Sequence, residues 1–335
     1  MRRPLLVVAA LGPLTLSCAY INASGLLDDA TSGAMNDLAL NSGQLVAKGQ
    51  ECRRLATFDV PLGEEISIGG AVAVKWVSKG GGLVMDSNDP AAKASGPRDQ
   101  MALYVDRVGR NLAMQSDRPL IEWTFGVLES DDFNAVSAPG GYVLVTRGLL
   151  RAVENEAQLA GVLGHEIAHV TEKHAIAAYR KVKTDTCLSA FGGMVLGPVT
   201  EHLRAAFDAA LGPARAALDL DSRENFDVLF AFTDALTTAL DDHGFEVEQE
   251  HDADRIGLAL AIGAGYNPHE YVKFLARIPE TGAAFPHHPS NAERQQRLAQ
   301  FIDSYREQPE LYPDYPFQNA PVVPLRGELS AAAKP

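Results

Sequence analysis

The stretch Gly164-His165-Glu166-Ile167-Ala168-His169 constrains this chain more than any other. Residues four apart on a helix leave the same face one turn apart. His165 and His169 can therefore present two imidazoles to one point, and two neutral imidazoles at that spacing suit a Zn²⁺ ion. Glu166 leaves the helix about a quarter-turn away, within reach of a water on such an ion, from which it could take a proton. Leu159, Val162, Leu163, Ile167, Ala168 and Val170 surround the trio. The helix, expected over 154–179 with Glu154 or Asn155 at its start, is thus apolar around most of its circumference. The pattern has only three fixed identities. An ordinary helix with a glutamate between two histidines also satisfies it, so the chemistry needs support elsewhere.

Support comes from residues 246–260. Glu250 and Asp254 are again four apart, on a segment that runs into Ile256, Leu258 and Leu260. One carboxylate can complete a two-histidine, one-glutamate site. The other can accept a hydrogen bond from the second nitrogen of a ligand imidazole and so fix its tautomer. Taken alone, an acidic helix start is a favourable contact with the helix dipole. His174, five residues after His169, is expected off the ligand face.

The chain has 335 residues, 46% of them hydrophobic and 21% charged, which suits one large or two modest globular domains. A net charge of −14 argues against nucleic acid as a partner. Met1 to Ser17 reads as an export signal: Arg2 and Arg3 precede an apolar run, Leu5 to Leu16, too short to span a bilayer. It leads into Leu14-Thr15-Leu16-Ser17-Cys18, which resembles a lipobox, so Cys18 is the expected site of lipidation. Ala19 behind it resembles the outer-membrane sorting pattern of Gram-negative lipoproteins. The three cysteines form no C-x-x-C pair; Cys52 and Cys187 could pair in an oxidising periplasm.

The expected organisation is a signal over 1–17, a tether and N-terminal segment over 18–60 and a catalytic body over 61–305. Residues 180–245 form a helical insertion, and 306–335 a Pro-rich tail. Helices are predicted over 64–77 and 99–115, and a strand over 121–128. Two short strands are predicted within 133–146, around the Pro139-Gly140-Gly141 turn; Pro139 places them at a sheet edge. An edge strand has free N–H and C=O groups that could pair with an extended peptide; a plain structural hairpin is the alternative. In the insertion, helices are predicted over 201–220 and 227–240, as a hairpin completing the core or as a lid.

Several motifs in this order resemble peptidase family M48, the gluzincin metallopeptidases. They are Phe133-Asn134-Ala135, Pro139-Gly140-Gly141-Tyr142, Thr146-Arg147-Gly148-Leu149-Leu150, the 164–169 stretch, Glu250 with Asp254, Ala264-Gly265-Tyr266 with Pro268, and His288-Pro289 followed by Arg294. The resemblance implies an α+β, mostly helical zincin-like domain with a small edge-strand sheet beside the metal helix. It implies one Zn²⁺ per chain, bound by His165, His169 and Glu250, with Glu166 as general base. Asp254 would orient a ligand histidine, with Arg294 beside it. His288, or less readily His287, would mask the metal or help hold the oxyanion. Asn134, Ala135, Gly140 and Gly141 would bind substrate. Two departures are expected: no set of four membrane-spanning helices and no long C-terminal helical-repeat domain. The function implied is a zinc endopeptidase of the bacterial envelope, lipid-anchored at the outer membrane and acting on unfolded or misassembled proteins. The alternative is a zinc-binding periplasmic chaperone or assembly lipoprotein with latent proteolysis. Partners in an assembly machinery are left open.

Overall fold

The computed structural model describes residues 47, 49–84, 100–195, 226–278, 290–308, 310, 322 and 324–325. The export signal, Cys18, the helix expected over 201–220, and His287 and His288 lie outside the described residues. The chain divides into two compact units, Met1–Cys52 and Arg53–Pro335. In the first, residues 47 and 49–52 are helical, and Cys52 is buried and disulfide-bonded. The second unit carries everything that follows.

Among the described residues its elements run in the order α1 (Leu62–Lys79), α2 (Gln100–Ala113), β1 (Thr124–Leu128), β2 (Ala135–Ala138), β3 (Tyr142–Thr146), α3 (Arg147–Ala152), α4 (Glu156–Thr171), α5 (His174–Val195), α6 (Phe226–His243), α7 (Val247–Gly263), α8 (Pro268–Arg277) and α9 (Asn291–Glu307). The fold is mostly helical with one small sheet, of the α+β class expected. The strands lie in the order β1-β3-β2: β3 pairs parallel with β1 and antiparallel with β2. The hairpin between β2 and β3 turns at Gly140 and Gly141, with φ of 78° and 101°, values that side chains with a Cβ rarely adopt. β2 is an edge strand by the strand order; Pro139, expected to mark that edge, lies in the turn after the strand and not in its ladder.

Alternation along the strands divides the interior. Phe125, Val127, Ala135, Val143 and Val145 face a core built with α2, α4, α7, α8 and α9. Leu128, Ala138 and Leu144 face a second core, with Ile68, Val72 and Trp76 of α1 and parts of α5 and α6. Cys187, on α5, is buried and disulfide-bonded. Predicted strand 121–128 begins its ladder only at Thr124; Trp123 before it stacks on Phe125 at 5.9 Å and donates its indole N–H to the Arg118 carbonyl.

The central helix is α4. Asn155 caps it by accepting a hydrogen bond from the Gln158 N–H. Every residue from Ala157 to Val170 is buried, as an all-round apolar helix must be. The expectation of one helix over 154–179 is corrected here. α4 stops at Thr171, Lys173 adopts φ 57°, and α5 starts afresh at His174. Neither Gly nor Pro marks the break. Groups from elsewhere meet the chain at this point: Arg118 donates to the Val170 carbonyl at 3.1 Å. The Lys173 ammonium lies 3.5 Å from Asp59 and 4.0 Å from Glu65.

α7 crosses α4 at backbone contact. A Cβ on Gly164 would meet the Gly257 carbonyl oxygen at 2.6 Å, and one on Gly257 would meet the His165 nitrogen at 2.5 Å. No rotamer can relieve a clash between backbones. Gly257→Ala is expected to destabilise the protein by about 1–3 kcal/mol, measured by urea unfolding. The same substitution should weaken metal binding, since it pushes α7, and with it Glu250, off α4.

Candidate metal centre

The crossing brings three ligand atoms together. Nε2 of His165 and Nε2 of His169 lie 3.1 Å apart. Glu250 sets Oε2 at 3.4 Å from the first and Oε1 at 3.5 Å from the second. All three side chains are buried, and their ligand atoms lie within 4.8 Å of one another. A tetrahedral Zn²⁺ with bonds of about 2.0–2.1 Å spaces its ligand atoms about 3.3 Å apart. Two nitrogen lone pairs and a carboxylate at nearly that spacing fit such an ion. His165 and His169 come from adjacent turns of α4, and Glu250 from the first turn of α7.

Behind His165 stands a closed network. Asp254, one turn after Glu250, places Oδ1 2.9 Å from Nδ1 of His165. Arg294, from α9, donates through Nε to Asp254 Oδ2 at 2.8 Å and through Nη2 to Oδ1 at 2.7 Å. The same Nη2 donates to the Tyr271 hydroxyl at 2.9 Å, which in turn donates to Asp254 Oδ1 at 3.1 Å. Arg294 is only 2% exposed, so this is a buried ion pair with its polar atoms engaged. Burial alone would raise the Asp254 carboxyl; Arg294 and His165 outweigh that and hold it well below the usual carboxylate range. A charged Asp254 at Nδ1 makes that nitrogen the protonated one and leaves the lone pair on Nε2.

Burial alone would also lower His165. Its hydrogen bonds to Asp254 and Glu250 outweigh burial and push the metal-free imidazole up to about 9. A metal must displace that proton, so zinc affinity should rise about tenfold per pH unit from neutrality towards pH 9. A raised pKa stabilises the folded state below the ordinary histidine value, and that contribution is lost as pH climbs through the raised one. Thermal midpoints measured between pH 6.5 and about 9 should therefore fall for the chelated protein and not for the zinc-loaded one.

On the far side, His169 packs against two groups. Its Nδ1 lies 2.8 Å from Nδ1 of His174. Phe245, from the link between α6 and α7, stacks on the ring at 4.1 Å with 19° between planes. Expected off the ligand face, His174 is instead buried against a ligand, because the break at Lys173 swings it round. Burial lowers its pKa, against the pull of Glu250 and Asp252.

Glu166 is buried at 3% exposure on the same turn as His165. Among the residues expected to meet substrate, Asn134 caps the start of β2: its N–H donates to Thr146 Oγ1, and its Oδ1 accepts from the Ala135 N–H. Gly140 and Gly141 are buried; the Gly140 N–H donates to Glu65 at 3.2 Å, and the Gly141 carbonyl accepts from the Thr124 N–H. They shape the turn that orients the edge strand. A small cleft is lined by Ser137, Ala138 and Pro139 together with His169 and Ile176, so the edge strand and a ligand histidine share one wall. Sequence reasoning missed Tyr271, His174 and Phe245. For Tyr271 the one local sign was Gly161, which marks that something approaches α4 closely without saying what. Gly161 sits one turn before His165 in a fully buried helix, and a Cβ there would meet the Tyr271 ring at 2.4 Å.

Residues 99–302 match the family described as Peptidase family M48. The beta-barrel assembly-enhancing protease of Escherichia coli strain K12 is 26% identical over 179 residues, covering 52% of this chain and 32% of that protein. The mitochondrial metalloendopeptidase OMA1 of Bos taurus is 30% identical over 191 residues, 53% of this chain and 32% of that protein. The mitochondrial metalloendopeptidase OMA1 of Schizosaccharomyces pombe is 26% identical over 212 residues, 60% of this chain and 52% of that protein. This chain thus spans about a third of the length of the first two. The match runs over more than half of the chain and takes in both crossing helices and the network behind them: this chain belongs to peptidase family M48, a family of metallopeptidases.

Proposed function

We propose that the chain is a zinc-dependent endopeptidase that hydrolyses peptide bonds in unfolded or misassembled proteins of the bacterial envelope. The observation that carries this reading is the convergence of two Nε2 atoms and the Glu250 carboxylate at 3.1–3.5 Å, beside an edge strand. His165, His169 and Glu250 would hold the metal, and Asp254 would keep His165 in the tautomer that can bind. When bound, the ion supplies Lewis acidity, making hydroxide available near neutral pH and polarising the scissile carbonyl. Glu166 takes the proton from the attacking water and returns it to the leaving amine nitrogen. His288, from outside the described residues, would assist at the oxyanion or cover the metal.

Among the described residues, no strand pairs with the outer edge of β2. The Asn134 carbonyl accepts from the Thr146 N–H across the sheet, so by alternation Ala135 and Ser137 turn their backbone groups outward. Asn134 Oδ1 already holds the Ala135 N–H, so a peptide would pair with the Ala135 carbonyl and the Ser137 groups. An extended peptide laid there gains main-chain hydrogen bonds irrespective of its sequence, which favours unfolded segments over folded ones. The envelope location rests on the export-signal pattern before Cys18, on the disulfide-bonded cysteines, and on the name of the Escherichia coli relative. A lipid on Cys18 would be the anchor, and the outer membrane its site; no helix among the described residues is long and apolar enough to cross a membrane. Chelation should abolish cleavage of an unfolded protein such as reduced casein, and added Zn²⁺ should restore it, while a folded control is spared. Cleavage that survives complete removal of metal would sink the reading.

A further inference from the structure

The outer nitrogens of the two ligand histidines meet different partners. Asp254 serves Nδ1 of His165, whereas His174 serves Nδ1 of His169 at 2.8 Å. Two ring nitrogens at that distance share a single proton. Nε2 of His169 faces Nε2 of His165 and Glu250, at the point where a metal would bind, and so must carry its lone pair there. The shared proton therefore belongs to Nδ1 of His169. His174 accepts it, and keeps its own proton on Nε2.

The backbone is bent to make this contact. On a continuous helix, five residues advance about 500°, which would leave His174 about 140° away from His169. Instead, Lys173 takes a left-handed conformation, φ 57°, which is costly for a residue with a Cβ. Phe245 closes the other side, stacked on His169 and 5.9 Å from the His174 ring. The ligand ring is thus held by a hydrogen bond at its outer nitrogen and by an aromatic face against its plane.

We infer that His174 is a positioning residue for the metal site: it accepts the Nδ1 proton of His169 and thereby fixes the tautomer and the rotation of that ligand. The inference rests on reading the site as a zinc centre. Mere packing would need the volume of His174; positioning needs its acceptor atom. His174→Asn and His174→Leu separate the two. The asparagine carbonyl oxygen sits where Nδ1 sits, one bond beyond Cγ, and accepts the same hydrogen bond. Leucine fills the space and accepts nothing.

The test uses the full-length chain, with Zn²⁺ affinity measured by competition against a chromophoric chelator and ligand geometry read from the visible bands of Co²⁺. His174→Leu is expected to weaken Zn²⁺ by about 10–100-fold and to alter the Co²⁺ bands. His174→Asn is expected to keep both near wild type. A leucine variant that binds like wild type, or an asparagine variant as weak as leucine, overturns the assignment. Should the leucine variant not fold, the asparagine variant decides alone: near-wild-type affinity supports the assignment, and a tenfold or greater loss refutes it. A wild type that takes up neither ion brings down the metal reading itself, a failure visible without any variant.

Discussion

Glu166→Gln should cut hydrolysis of an unfolded protein by about 10²–10⁴-fold while zinc content stays at the wild-type level. Glutamine has the shape of glutamate but cannot take up a proton near neutral pH. Glu166 stands outside the group formed by His165, His169 and Glu250, so the substitution leaves the ligands in place. Its neighbours on α4 are buried and its own side chain is 3% exposed, so an isosteric exchange disturbs packing little. The measurement pairs metal content per chain with the rate of casein cleavage. Loss of zinc together with activity would instead make Glu166 part of the metal site. Undiminished cleavage would remove it from the reaction, and a cellular phenotype indifferent to the substitution would favour a chaperone.

Arg294→Met should destabilise the protein by about 3–5 kcal/mol, the usual effect of stranding one partner of a buried ion pair. Three hydrogen bonds disappear with the guanidinium: two to Asp254 and one to Tyr271. Asp254 is then a buried carboxylate without its cation. Its depressed pKa stabilises the native protein above the ordinary carboxylate range, and that contribution is lost as pH falls through the depressed value. Removing Arg294 lets the carboxyl rise, so acid unfolding should begin at higher pH. A neutral Asp254 also releases its grip on Nδ1 of His165, and zinc affinity should fall by about 10–100-fold. Urea unfolding at two pH values and a zinc competition measure these effects. The double variant Arg294→Met, Asp254→Asn should recover part of the lost stability, because the two residues act as one unit. A single variant as stable as wild type would show that the network contributes nothing.

Much of the site could be read along the chain. His165 with His169, and Glu250 with Asp254, are pairs within one helix, and helical geometry sets the relation of residues four apart whatever surrounds them. Local chemistry also marked the ends of elements: Asn155 caps α4, and Pro139-Gly140-Gly141 makes the turn between β2 and β3. The assignment of Glu250 as a ligand drew on resemblance as well as on spacing. Nothing in a run of acidic residues says which distant helix it will meet.

What only the tertiary structure decided lies between elements. The meeting of α4 and α7 depends on two glycines, Gly164 and Gly257, whose backbones touch; neither is distinctive in its own segment. Tyr271 enters the Asp254 network from α8, and Phe245 reaches His169 from a link. The break at Lys173 is the clearest case. Periodicity carries the helix through 172–173, while the structure breaks it there, where Arg118 meets the Val170 carbonyl and Lys173 lies beside Asp59 and Glu65. His174 thereby moves from an outer face to the back of a ligand. The amino-acid order by itself determined the helical spacing of the chemistry, the hairpin turn at Gly140 and Gly141 and the cap of α4, because each depends on neighbours a few residues away. The depth of the helix crossing, the bend and the partners behind each ligand depend on how separate apolar faces interlock, and no period along the chain encodes that.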